Sequence, residues 1–158
     1  MKHTKFSKIA SLLLAITLVV GAFFAMGVVA GADAESSLGY ANVEFGDTIK
    51  LAFTVEGAAT GIVVYKDEAG TDLFSRDTTP ETHNGVTYYT SKGIAAKDID
   101  TTYYVGVIDA NGNVGELKGY SVLDYVTAIE TSSDNENQLA LCAKIRAYNE
   151  AANAIFDK

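Results

Sequence analysis

The chain has 158 residues and a formal net charge of −8, which allows one ordinary domain plus a targeting segment. An acidic surface repels phosphate backbones, so we do not expect nucleic acid as a partner. Cys142 is the only cysteine, which excludes an internal disulfide and leaves the hydrophobic core to hold the fold.

The N-terminal segment has the order of a secretory signal. Residues 1–8 contain three lysines and no acid, residues 9–30 are uncharged, and Ala32 and Ala34 occupy an A-x-A cleavage pattern. We therefore expect residues 1–34 to be a signal peptide cleaved after Ala34. The uncharged stretch is also long enough to span a hydrocarbon core of roughly 30 Å, so a retained membrane anchor is the alternative. Both outcomes place residues 35–158 outside the cytoplasm, secreted or at the cell surface.

Apolar and polar residues alternate along much of the chain after residue 40. The clearest strand is predicted at 48–55, with further strands at 42–45, 62–66, 71–76, 86–90, 102–108 and 114–120. Residues 77–85 are predicted to form a polar loop, and residues 94–100 a crossing segment. Turn signals recur every eight to twelve residues, which predicts an antiparallel immunoglobulin- or fibronectin-like β-sandwich of about seven strands over residues 35–120.

The periodicity becomes helical after Tyr120. Ser121 followed by Asp124, and Ser133 followed by Glu136, have the spacing of helix N-caps. The second helix is predicted to bury a stripe at 3.6-residue spacing, formed by Leu141, Ile145, Tyr148, Ala152 and Ile155. The predicted fold class is thus mainly β with a C-terminal α part, residues 121–158 forming a two-helix extension packed on the sandwich.

A resemblance to known modules arises from these last segments. Residues 102–107 and 109–114 resemble the last hairpin of fibronectin type III and related immunoglobulin-like modules. Residues 119–125, followed by 141–156, are similar to the ending of β-rich modules in secreted and surface proteins of Gram-positive bacteria. That ending includes Tyr148, Asn149, Ala151, Ala152 and Phe156. The resemblance covers residues 40–156 and implies a fold and an extracytoplasmic location, but no catalytic residues.

The sequence gives little evidence for a metal site. Residues 109–113 superficially resemble a calcium loop, but Gly112 is fourth where an EF-hand requires glycine sixth, so a tight turn is expected. Asp67, Glu68 and Asp72 offer an alternative calcium site outside any motif. His83 and Cys142 cannot assemble a zinc shell by themselves. We expect no cofactor, with calcium as a remote alternative.

The strongest candidate for a ligand or partner face is a set of tyrosines in two adjacent pairs, namely Tyr88, Tyr89, Tyr103 and Tyr104. Successive strand residues point to opposite faces, so one member of each pair must face outward if the other faces the core. Substitution of the outward residues Tyr89 and Tyr104 by serine is expected to abolish ligand binding through this face. Cross-strand packing on a solvated sheet face is the competing interpretation.

The sequence indicates a non-catalytic secreted or cell-surface module acting in adhesion, as a scaffold or in association with the envelope. It contains neither a Gly-x-Ser-x-Gly elbow nor a phosphate-binding glycine loop, so we do not expect an enzyme. The alternative is a module that binds a carbohydrate or another small ligand through exposed tyrosines, and a small secreted hydrolase is a distant third. The expected partner is a protein or an envelope or host-matrix polysaccharide.

Overall fold

The computed structural model describes residues 36–156, and the predicted signal segment lies outside them. This part of the chain forms eight strands and two α-helices. They are β1 (Ser37–Phe45), β2 (Ile49–Glu56), β3 (Gly61–Tyr65), β4 (Leu73–Asp77), β5 (Glu81–His83), β6 (Val86–Thr90), β7 (Tyr103–Ile108), β8 (Lys118–Tyr120), α1 (Val122–Ser132) and α2 (Glu136–Phe156). A short 3₁₀ helix, Ala96–Asp98, precedes β7. Neither α1 nor α2 has the length and apolar character needed to cross a bilayer.

The strands form two four-stranded sheets in which every pair is antiparallel. The first sheet has the order β1-β2-β6-β5 and the second the order β4-β3-β7-β8. Each sheet therefore collects strands from distant parts of the chain. The predicted mainly-β class with two C-terminal helices is confirmed.

One hydrophobic cluster joins both sheets and both helices. The first sheet contributes Phe53 and Tyr89, and the second contributes Val64 and Val105. Phe53 also meets Tyr120 edge to face, with ring centroids 5.0 Å apart. Burial of these side chains, at roughly 1.5–3 kcal/mol each, supplies the main stabilisation of a chain without disulfides. The helices belong to the same core, since they contribute Val122, Val126, Ile129, Cys142 and Ile145.

Three predicted β-segments differ from the structure. β1 begins at Ser37, whereas the strand was predicted only from residue 42. Residues 77–85, predicted as a loop, contain β5, which pairs with β6 across the two-residue turn Asn84-Gly85. Both turn residues have positive φ angles, 52° and 80°, as a tight hairpin turn requires. Conversely, only Lys118–Tyr120 of the predicted strand 114–120 is a strand. Residues before it form a loop in which the Gly115 N–H donates to the carbonyl of Val107.

The start of α2 also differs from the prediction. The N-cap of α1 is confirmed, because Ser121 Oγ accepts a hydrogen bond from the Asp124 N–H at 2.9 Å. The N-cap of α2 is Asn135, whose side-chain oxygen accepts from the Asn137 N–H at 3.0 Å. Ser133 instead ends α1, with its N–H donating to the carbonyl of Ile129. The sequence offered several adjacent capping residues, and spacing alone selected the wrong one.

Candidate functional site

The four candidate tyrosines do not form one surface. Tyr89 and Tyr103 are buried, 7% and 2% exposed, and both belong to the core cluster. Tyr88 and Tyr104 are partly exposed. Each lies on the face of its strand opposite to the face that carries its buried neighbour. Since β6 and β7 lie in different sheets, the structure does not bring Tyr88 and Tyr104 together. The prediction that Tyr89 faces outward is wrong, because its ring packs in the core.

Tyr104 does have an aromatic neighbour on its own sheet. Tyr65 of β3 lies directly opposite Tyr104 of β7 in the register, and Leu73 of β4 pairs with Tyr65. Val64 and Val105 beside the two tyrosines face the core, so both tyrosines lie on the outer face. The Tyr104 ring also lies close to Gly119 of β8, 3.5 Å from where a Cβ would stand. A row of two aromatic rings flanked by an exposed leucine thus crosses the second sheet.

The acidic turns are organised by their own hydrogen bonds. The Asp67 carboxylate accepts from the Thr71 N–H, the Thr71 hydroxyl and the Asp72 N–H at 2.6–3.2 Å. The Asp109 carboxylate accepts from Asn111 and Asn113 in the same manner. Bonds from the side chains of Thr71 and Asn113 are the largest cause lowering the pKa values of the two acids.

This arrangement agrees with the prediction that residues 109–113 form a turn. Among residues 36–156, no three His, Cys, Asp or Glu side chains are grouped so that they could hold a metal ion. The side chain of His83 lies outside the described residues. Cys142 is 1% exposed, as expected for a small apolar core residue, and burial raises the pKa of its thiol.

The C-terminal half of α2 carries the most exposed large apolar side chains of the described range. Tyr148, Ile155 and Phe156 are 60%, 69% and 66% exposed. The predicted stripe was therefore wrong at Tyr148 and Ile155. The buried face of α2 instead runs through Cys142, Ile145, Asn149 and Ala152. At 3.6 residues per turn, Tyr148 lies about 80° around the helix from the middle of that line.

The two aromatic residues of this set, Tyr148 and Phe156, also line a cleft. The cleft has a volume of about 550 Å³ and lies between the β1–β2 turn, the segment around the 3₁₀ helix and α2. We call it the α2 cleft, and its lining comprises residues 46–49, residues 94–97, Tyr148 and Phe156. Its charged side chains are Asp47 and Lys97. The Lys97 ammonium lies 3.1 Å from the Asp98 carboxylate.

Specific contacts hold the walls of the α2 cleft in place. The Ile94 N–H donates to the carbonyl of Ile49 at 2.7 Å, which ties the crossing segment to the start of β2. Asn149 Nδ2 donates to the Ala96 carbonyl at 2.8 Å, which ties α2 to the same segment. Gly93 allows the close approach of Thr48, whose Cβ would lie only 2.9 Å from an added Cβ. The cleft is therefore a fixed feature of the packed structure.

Comparison with protein-family models, with curated proteins and with solved structures gives no match for this chain. What it does must therefore be argued from its own geometry.

Sequence reasoning missed Tyr65, Asn149 and the α2 cleft. Tyr65 ends an uninterrupted apolar run, 62–65, in which neither face is marked by polar residues, so its outward direction follows only from the pairing register. Asn149 lies on the buried face of α2, where an apolar residue is the ordinary expectation. The sequence did contain one signal, namely a polar residue at a position of the helix that lies in line with apolar ones. The cleft joins segments about 50 residues apart, which no local pattern indicates.

Proposed function

We propose that this chain is a non-catalytic, extracytoplasmic interaction module whose partner contacts the α2 cleft and the apolar end of α2. The observation that carries the proposal is the exposure of Tyr148, Ile155 and Phe156 on one helix. Solvent-exposed aromatic side chains beside a concave surface are typical of contact sites, because they bury large areas at low cost in conformational entropy. Location outside the cytoplasm is part of the proposal and rests on the signal-like residues 1–34.

The proposal includes an immunoglobulin-like character for the β part. The order β1-β2-β6-β5 corresponds to the A-B-E-D order of immunoglobulin sheets, and β3-β7-β8 to C-F-G. The added β4 pairs at the free side of β3. Modules with this strand order commonly bind partners through loops and sheet faces that a rigid framework holds in place. This fits an adhesion, scaffold or envelope-associated role. Strand order supports the architecture, whereas the contact surface comes from α2.

Capture of partners by the exported protein tests the proposal. The protein is immobilised and exposed to envelope proteins, to peptidoglycan and other insoluble polysaccharides, and to host-matrix components. A double variant, Tyr148→Ser with Phe156→Ser, is expected to lose a captured protein. The matched control, Tyr40→Ser with Val86→Ser, changes two other exposed apolar residues and should retain it. Equal loss in both variants, or retention in both, would contradict a contact surface on α2.

A second candidate function is favoured by the row of Leu73, Tyr65 and Tyr104. Neighbouring, partly exposed aromatic rings on a sheet face suit a carbohydrate, because sugar rings stack on them while the hydroxyls remain in water. A double variant, Tyr65→Ser with Tyr104→Ser, would then abolish polysaccharide capture while the α2 variant retains it. Retention of polysaccharide by the sheet variant would reject this face.

A further inference from the structure

The lining of the α2 cleft combines two aromatic residues with one acidic residue. Tyr148 and Phe156 belong to α2 and Asp47 to the β1–β2 turn, and all three line the cleft. Asp47 is exposed and makes no hydrogen bond or ion pair with another residue of the range 36–156. Faces of aromatic rings attract cations through the quadrupole of the ring, and a carboxylate adds a direct charge. This set of groups matches an ammonium or guanidinium group.

The charge balance of the whole described range points in the same direction. Residues 36–156 contain 17 acidic and eight basic side chains, a balance of −9. Lys97 is the basic residue of the cleft lining, and its ammonium is already matched by Asp98. A cationic partner therefore meets an unmatched carboxylate, and the field of the whole chain favours its approach. A neutral sugar would gain nothing from this excess of negative charge.

We infer that the α2 cleft receives a lysine or arginine side chain from a basic segment of a protein partner. The methylene stem of that side chain would pack against the aromatic residues Tyr148 and Phe156 while its charged end reaches Asp47. This inference rests on the proposed function and narrows it to one chemistry.

Binding of a defined peptide to the full-length protein tests the inference. The probe is a fluorescent ten-residue peptide of alternating lysine and glycine, and its matched control is the same peptide with every lysine acetylated. Acetylation keeps the stem and removes the charge. Non-ionic detergent at a fixed concentration keeps the apolar residues 9–30 in solution. We expect saturable binding of the lysine peptide, weakened severalfold between about 50 and 500 mM salt as exposed charges are screened.

The variants distinguish the cleft from general charge attraction. Asp47→Asn is expected to weaken binding about three- to tenfold, as loss of one charge-assisted contact should. Asp134→Asn removes the same charge from an exposed position in the link between α1 and α2 and should change binding by less than about twofold. Tyr148→Leu keeps an apolar wall without the ring and is expected to weaken binding about two- to fivefold.

Three outcomes would overturn the inference. Equal binding of the acetylated peptide would show that charge is not recognised. Equal effects of Asp47→Asn and Asp134→Asn would assign the attraction to the whole surface. Binding of an N-acetylglucosamine oligosaccharide that is lost in Tyr148→Leu but unchanged in Asp47→Asn would make the cleft a sugar site. None of these outcomes touches the capture experiment, in which the proposed function fails if the α2 variant retains its partner or if the control variant loses it equally.

Discussion

Gly61 begins β3 at a position where the chain has room for a hydrogen atom only. An added Cβ would lie 2.4 Å from the carbonyl oxygen of Asp77 and 3.0 Å from Thr78 Cγ2. The first of these atoms is backbone, which cannot rotate away as a side chain can. The close approach allows β3 to pair with β4 and β7 at the same time.

We expect Gly61→Ala to destabilise the protein by about 1–3 kcal/mol, the usual cost of overpacking. Gly46→Ala is the matched control, since no atom lies within 4 Å of its added Cβ and its φ is not in the left-handed region. That substitution should be neutral or slightly stabilising. Urea denaturation of both variants measures the difference, and similar midpoints would show that the contact at Asp77 relaxes freely.

Because of the buried Tyr103, the stability of the folded protein depends on pH in the alkaline range. Burial raises its pKa to about 12, and the carboxylates of Asp98 and Asp100 add to the shift. The unfolded chain releases this proton near pH 10 while the folded protein retains it. The stability associated with the neutral tyrosine is therefore fully present below pH 10 and is lost as the pH rises towards 12.

The expected loss between pH 9 and 11 is about 1 kcal/mol from this residue. Tyr103→Phe keeps the ring that packs 4.5 Å from Phe74 and removes the titrating group. The free energy of unfolding of this variant should therefore fall less over that interval than that of the wild type. Tyr40→Phe changes an exposed tyrosine and serves as the control for the other groups that titrate in this pH interval. Parallel pH profiles for wild type and Tyr103→Phe would refute the assignment.

At the scale of elements, a side chain and a helix occupy part of the edge of the first sheet. β1 is an edge strand, and an open edge invites pairing with another chain. The N–H of Val43 donates to Asn42 Oδ1 at 2.8 Å, and the Tyr125 hydroxyl of α1 donates to the same oxygen at 2.8 Å. One backbone donor of β1 is thus occupied, and α1 is anchored to this strand.

The start of α1 gives a prediction for this element. Ser121 is 5% exposed, and its hydroxyl caps the N–H of Asp124. Ser121→Ala should lower the free energy of unfolding by about 1 kcal/mol, the usual cost of losing an N-cap. Ser121→Thr keeps the hydroxyl and should recover part of the loss. Thermal unfolding followed by circular dichroism measures both, and equal destabilisation by alanine and threonine would attribute the effect to packing.

Elements were predictable where local chemistry decides them. Alternation located β2. The hairpin across Asn84-Gly85 was predicted only as part of a polar loop, because the three residues of β5 are too polar to suggest a strand. The candidate site was less predictable. Periodicity cannot state which side of a strand meets the other sheet, so Tyr89 was placed outside and Tyr65 was overlooked. On α2, the packing line through Asn149 decides that Tyr148 is exposed.

At the scale of the whole molecule, the helices complete the core. Val122, Val126 and Ile129 of α1 are each at most 2% exposed, and Cys142 and Ile145 of α2 belong to the same cluster. At roughly 1.5–3 kcal/mol per large side chain, their burial contributes on the order of 10 kcal/mol. The net stability of a domain is only about 5–15 kcal/mol. Residues 35–120 and 121–158 are therefore expected to fold as one cooperative unit.

A chain ending at Tyr120 tests this expectation, because it keeps all eight strands and removes both helices. We expect it to bind the dye ANS and to lack a cooperative thermal transition, since it loses the helix residues of the shared hydrophobic cluster and exposes core surface of the sheets. In the complete chain, helical circular dichroism at 222 nm and tyrosine fluorescence should change at one denaturant midpoint. Separate midpoints, or a truncated chain with a sharp transition of its own, would instead make the helices an independent extension, and the α2 cleft would then form by docking of two preformed parts.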